Sequence, residues 1–174
     1  MTVAEAQVET YVAEVVDAIE PVVPVTGEFV LGSALLGGFD PATSDLDLVV
    51  VVERPPNRGE CEEIVAALDE LPRPFRKLEL VVYAAGAKPP AYELNYPDGP
   101  AEPEFWFVLD AALAQRFAGP RWGELLQPVS EDETRGAAGE LLRWAEARDE
   151  QVHAARARHY LERGEWITKE EARG

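Results

Sequence analysis

The stretch LGSALLGGFDPATSDLDLVVVVE, Leu31 to Glu53, decides how this sequence is read. It joins a Gly-Ser turn to two further glycines and then sets two aspartates, Asp45 and Asp47, at the mouth of a valine-rich strand. Side chains at i and i+2 of a strand share a face, so Asp45 and Asp47 project together while Leu46 and Leu48 point into a core. Carboxylates this close repel each other, and charge beside a core is expensive, unless a cation lies between them. Magnesium fits best, because it prefers hard oxygen ligands and is commonly held by one or two carboxylates plus substrate phosphates. Gly32 lets the backbone approach a ligand closely, and a helix start after Ser33 offers N–H groups to an anion. Gly37-Gly38 reads as a plain turn. A nucleotide site is expected, with phosphate on one side and metal-binding carboxylates on the other.

The segments around this stretch predict an α+β chain. Val8, Tyr11, Val12, Val15, Val16 and Ile19 recur at helical spacing, and Pro21 and Pro24 end that helix. Strands are expected at Glu28–Leu31, Asp45–Glu53 and Lys77–Ala85, with a fourth at Tyr92–Tyr96 and a helix at Glu60–Leu71. In KLELVV, Glu79 sits alone among apolar neighbours. If its strand pairs beside Asp45–Glu53, Glu79 reaches the same site. Proline and glycine crowd Pro97 to Pro103, and beyond them only helical patterns remain: Phe105–Phe117, Glu131–Ala147 and Asp149–Arg163, the last closed by Gly164. The chain therefore divides into an α/β domain, residues 1–98, with a small mixed sheet flanked by helices, and an all-helical domain, residues 103–174.

Composition narrows the function. The 174 residues are 47% hydrophobic and carry 33 acidic against 16 basic side chains, a net charge of -17. Such a chain can bury a core, and it repels nucleic acid and anionic membranes while attracting polycations. With no apolar run long enough for a membrane span and no secretory leader in MTVAEAQVETY, a cytoplasmic protein is expected. Cys61, the single cysteine, reads as an ordinary thiol.

A GS pair, SDLDL and a later strand with a lone acidic residue resemble the nucleotidyltransferase superfamily of DNA polymerase β. More narrowly, LGSALLGG, SDLDL and LEL in this order, with RARHYLERGEWITKEEA at Arg156 to Ala172, are similar to the streptomycin and spectinomycin adenylyltransferases. The resemblance implies Mg2+ on Asp45, Asp47 and Glu79, with Glu79 also the general base. It implies ATP as co-substrate, with Gly32, Ser33 and Ser44 lining the triphosphate and Arg156 and Lys169 reaching the phosphates from the helical domain. The acceptor it implies is a cationic small molecule, an aminoglycoside, with Trp144 and Asp149 as candidate contacts; Tyr96, just after the sheet, is expected to face the interdomain cleft. Members of that family continue for several helices after the KEEA segment, so the helical domain is expected to be truncated here. A monomer is expected. Other antibiotics such as lincosamides, a protein hydroxyl as in toxin-antitoxin enzymes, or a vestigial nucleotide-binding protein are the alternatives. Phe105, Trp106 and Phe107 read as packing between the halves, and His153 and His159 as solvent-facing.

Overall fold

The computed structural model describes residues 3–36, 39–97 and 103–174, so the Gly37-Gly38 turn lies outside the described residues. Helix α1 (Val3–Ile19) leads into strand β1 (Val25–Val30), short helix α2 (Gly32–Leu36) and strand β2 (Leu46–Val52). Helix α3 (Arg58–Asp69) crosses over to strand β3 (Leu78–Ala84), and strand β4 (Leu94–Tyr96) follows. Helices α4 (Glu104–Ala118), α5 (Pro120–Leu125), α6 (Glu131–Glu146) and α7 (Gln151–Arg163) make up the rest, with a 3-10 turn at Glu171–Arg173.

The sheet is mixed, in the order β1-β2-β3-β4, with β2 and β3 parallel and both outer pairs antiparallel. A parallel neighbour requires a crossover, and α3 supplies it. Asn57 starts α3 with a reciprocal cap: its side chain accepts from the Glu60 N–H while the Glu60 carboxylate accepts from the Asn57 N–H. β1 begins three residues earlier than the sequence pattern suggests, since its pairing slips between Val25 and Gly27 and the irregularity hides the alternation. Helix α5 was not expected. Pro120 at its first position begins a six-residue helix, too short for periodicity to reveal.

Strand alternation splits the sheet between two cores. Leu46, Leu48, Val50, Leu80 and Val82 face α1 and α3, where Val15, Ile19, Ile64 and Leu68 meet them. Phe29, Leu31, Val49, Val51 and Tyr83 face the opposite way, onto Ala111 and Ala114 of α4 and Trp122 of α5. A third core joins Phe105 and Leu109 of α4 to Ala138 and Leu141 of α6 and Ala157 and Tyr160 of α7. Helix α4 therefore belongs to both halves: it covers one face of the sheet and also anchors the helical bundle. Phe107 bridges the halves by lying 4.6 Å from the Tyr92 ring, whereas Phe105 and Trp106 pack on α6 and α7.

Trp122 is the largest side chain fully buried between sheet and helices, its ring 4.9 Å from Phe29. Trp122→Ala should lower the unfolding free energy by about 3–5 kcal/mol, the range for emptying an aromatic site in a core. Urea denaturation followed by circular dichroism measures this, and a near-parent midpoint would show that the sheet does not depend on α5.

Candidate active site

Asp47 and Glu79 stand opposite each other in the β2/β3 ladder, so their carboxylates project side by side from the sheet face turned toward α4. Asp45 immediately precedes β2 rather than lying in it. Arg76 Nε is 3.1 Å from Asp45 Oδ1, close enough for an ion pair but not aligned as a hydrogen bond, and that buried oxygen accepts no hydrogen bond. Glu79 is held by Lys77, whose Nζ donates to Oε1 at 2.6 Å. The Leu46 N–H donates to the Lys77 carbonyl at 2.9 Å, which continues the ladder to the foot of both strands.

Gly32 closes the other side. Its φ of +58° is a left-handed conformation, and a Cβ on this residue would collide with Asp47 Oδ2. The missing side chain is therefore what allows the Asp47 carboxylate to lie against the β1–α2 turn. The Leu31 N–H, one residue earlier, donates to the Asp47 carbonyl at 2.8 Å and holds turn and strand together. Ser33 follows in α2 and is half-buried. Ser44 is fixed by a turn around Asp40: its Oγ accepts from the Asp40 N–H at 3.1 Å and its own N–H donates to the Asp40 carbonyl at 2.8 Å.

The charge on this face is unbalanced. The Asp47 carboxyl is pushed up to about 8, first by burial, then by the negative charges of Asp110 and Glu79 and by the hydrogen bond it shares with Glu79, with Lys169 pulling the other way. Asp110 projects from α4, and sequence reasoning passed over it. Its only sequence signal is a charge between Leu109 and Ala111, both buried, on a helix otherwise nearly free of charge in its middle.

The two expected phosphate-reaching cations are brought to this neighbourhood. Arg156 on α7 feels the Asp110 charge, its Nε donates to the Ile167 carbonyl at 2.8 Å, and its guanidinium lies over the Trp166 ring. Burial lowers its pKa while Asp110 raises it. Lys169 follows Thr168, whose N–H and hydroxyl donate to Glu171 while the Glu171 N–H donates back to the Thr168 hydroxyl. This reciprocal cap closes the turn within the last segment, while the Arg156 bond to the Ile167 carbonyl and the Trp166 ring stacked on Tyr160 hold the segment to α7, and the Lys169 charge acts on both Asp47 and His153.

The three candidate acceptor contacts are scattered. Tyr96 pairs with Leu80, so it points into the α1/α3 core, 3% exposed, its hydroxyl donating to Asp69 at 2.7 Å and accepting from Arg73 at 2.9 Å. The expectation that it faces the cleft is corrected by strand parity: Asn95, one residue back, pairs with Val81 and shares the face of the carboxylates. Trp144 lies in an aromatic cluster, its ring 5.7 Å from Trp106 and 6.3 Å from His153. Asp149 is exposed in the α6–α7 turn at a φ of +58°. His153 does not face solvent as expected. It is half-buried against Trp106 at 5.2 Å, its Nδ1 is buried without a hydrogen-bond partner, and its pKa is lowered by burial and by the charges of Lys169 and Arg156. His159, also expected to face solvent, is half-buried.

The donor set suits a hard divalent cation: a buried carboxylate oxygen on Asp45 without a hydrogen-bond donor, and an Asp47 whose pKa is raised first by burial and then by the neighbouring negative charges of Asp110 and Glu79. Among the described residues, no three His, Cys, Asp or Glu side chains converge as a closed cage. No described helix is long and apolar enough to cross a membrane.

No protein-family model matches the sequence, and no curated protein matches it. Among solved structures the chain is similar to the spectinomycin adenyltransferase AAD(9) from Enterococcus faecialis, solved with ATP and spectinomycin. The match has a TM-score of 0.69 at 19% identity and covers 96% of this chain and 80% of that one. The fold is thus nucleotidyltransferase-like: a four-stranded mixed sheet carrying the carboxylates, followed by helices.

Two variants probe this geometry. Gly32→Ala should destabilise the protein, because alanine both strains the left-handed turn and displaces Asp47; a melting temperature equal to the parent's would contradict the close packing. Asp47 keeps its proton to about 8 in the fold but loses it near about 3.9 when unfolded. The folded state therefore binds more protons across that window, and with divalent cations chelated its stability falls as pH rises toward 8. Asp47→Asn removes the decline. Thermal melts in EDTA should show the variant more stable than the parent at pH 8, with the gap closing toward pH 4.

Proposed function

We propose that this protein transfers AMP from ATP to a hydroxyl of a cationic small molecule, with an aminoglycoside or aminocyclitol as the acceptor class. The observation that carries the reading is the in-register pairing of Asp47 with Glu79 beside the left-handed Gly32 turn. A carboxylate pair next to a close backbone approach is what a triphosphate with its counter-cation requires. The likeness to an adenyltransferase solved with ATP and spectinomycin supports the same assignment.

In this reading Asp45, Asp47 and Glu79 would hold magnesium, which would supply positive charge to the triphosphate. Gly32, Ser33 and Ser44 line the triphosphate, and Arg156 and Lys169 approach it from the helical side. Glu79 takes the proton of the acceptor hydroxyl. The oxygen so freed attacks the α-phosphorus, a new O–P bond forms, the bond to the bridging oxygen breaks, and pyrophosphate leaves. The net charge of -17 favours a cationic acceptor, and the Trp106 ring beside Trp144, whose own face carries the Arg148 guanidinium at 4.8 Å, offers a face for one.

Pyrophosphate release with ATP, Mg2+ and a panel including spectinomycin, streptomycin and other aminoglycosides tests the assignment. One or more cationic acceptors should support turnover, and lincosamides serve as the uncharged-sugar comparison. Glu79→Gln preserves size and one oxygen but cannot take the proton, so it should lose about 10²- to 10⁴-fold in kcat with little change in ATP affinity. Turnover at the parent rate would remove Glu79 from the reaction.

A further inference from the structure

Two of the site's carboxylates are each held by one member of a single dipeptide. Arg76 and Lys77, immediately before β3, hold Asp45 at 3.1 Å and Glu79 at 2.6 Å. The backbone of this dipeptide is fixed, because the Leu46 N–H donates to the Lys77 carbonyl and Lys77 sits two residues before Glu79 at the start of the strand. Its side chains are not enclosed: Arg76 is 64% and Lys77 45% exposed, so both stems can swing into water while the main chain stays in register. Two cations on flexible stems thus occupy two of the three carboxylates that would ligate a metal. The third, Asp47, lies deeper and shares a hydrogen bond with Glu79.

We propose that Arg76 and Lys77 are tethered counter-cations that compete with a divalent metal for Asp45 and Glu79, so that this dipeptide sets the metal affinity of the site. The proposal rests on the reading that these carboxylates hold a divalent cation. Without such ions, a strongly acidic chain has several carboxylates crowded at the foot of one sheet, and the dipeptide neutralises part of that charge from within. A divalent ion outcompetes each single charge and releases both stems. The size of the effect follows from exposure: solvent-exposed ion pairs are individually weak, so each pair should reduce metal affinity by about 1.5- to 5-fold.

The test is calorimetric titration of Mn2+ into the full chain without nucleotide, at fixed pH and ionic strength. Lys77→Met and Arg76→Met should each bind Mn2+ about 1.5- to 5-fold more tightly than the parent, and the double variant more tightly than either. Lys77→Arg, which keeps the charge, should stay near the parent value. A gain in affinity is not something that damage to the fold produces. If Asp47→Asn loses Mn2+ binding while Lys77→Met and the double variant bind it no more tightly than the parent, competition is overturned and the metal reading stands. If the parent does not bind Mn2+, or Asp47→Asn binds it as the parent does, the metal reading falls and competition with it.

Discussion

A parallel ladder between β2 and β3 puts Asp47 directly beside Glu79, and the rest of the molecule is arranged around the cost of that pair. Two carboxylates on adjacent strands, half-buried and with a third facing them from α4, cannot all ionise cheaply. The fold meets this in several ways: Asp47 keeps a proton, Lys77 and Arg76 hold Glu79 and Asp45, and Lys169 adds positive charge from the far end of the chain. Gly32 removes the one steric obstacle to bringing the β1–α2 turn against Asp47. A stable structure with no ligand would gain from apolar residues at these positions.

Helix α4 packs over the sheet face that carries these carboxylates. Its Ala111 and Ala114 are small enough to lie against the sheet, while Phe105 and Leu109 on another face enter the core shared with α6 and α7. Asp110, between these two faces, is carried toward the carboxylates as a consequence of how the helix is packed on both sides. The C-terminal segment, its turn closed by the Thr168–Glu171 cap, is tied in by Trp166 stacked on Tyr160 at 4.6 Å and by the Arg156 contact with the Ile167 carbonyl. These contacts are local in sequence, yet they decide whether cations reach the sheet.

The elements were largely legible. The apolar spacing of α1, the valine run of β2, the lone glutamate in β3 and the Gly164 cap of α7, with its φ of +73°, are local signals, and each stands in the structure near where the pattern put it. What escaped were features without a period of their own: the short helix α5 and the slipped start of β1. Two residues show the same limit. Tyr96 and Asn95 differ by one position, and only the β3–β4 register tells which of them faces the site. His153 flanks the buried stripe of Ala154, Ala157 and Tyr160, so its burial depends on Trp106 and Trp144 from two other helices.

By itself the sequence determined the chemistry of the face: two aspartates at the mouth of a strand, a glutamate with no apolar reason to be there, and a glycine where the chain must turn. Those follow from side-chain alternation and from the cost of charge near a core, which are properties of neighbouring residues. Only the tertiary structure decided which charges oppose one another. The strand register set Glu79 beside Asp47, the two-sided packing of α4 added Asp110, and the folded-back C-terminal segment brought Lys169 within range. Electrostatic interaction depends on distance through space, and residues 47, 79, 110 and 169 are far apart along the chain.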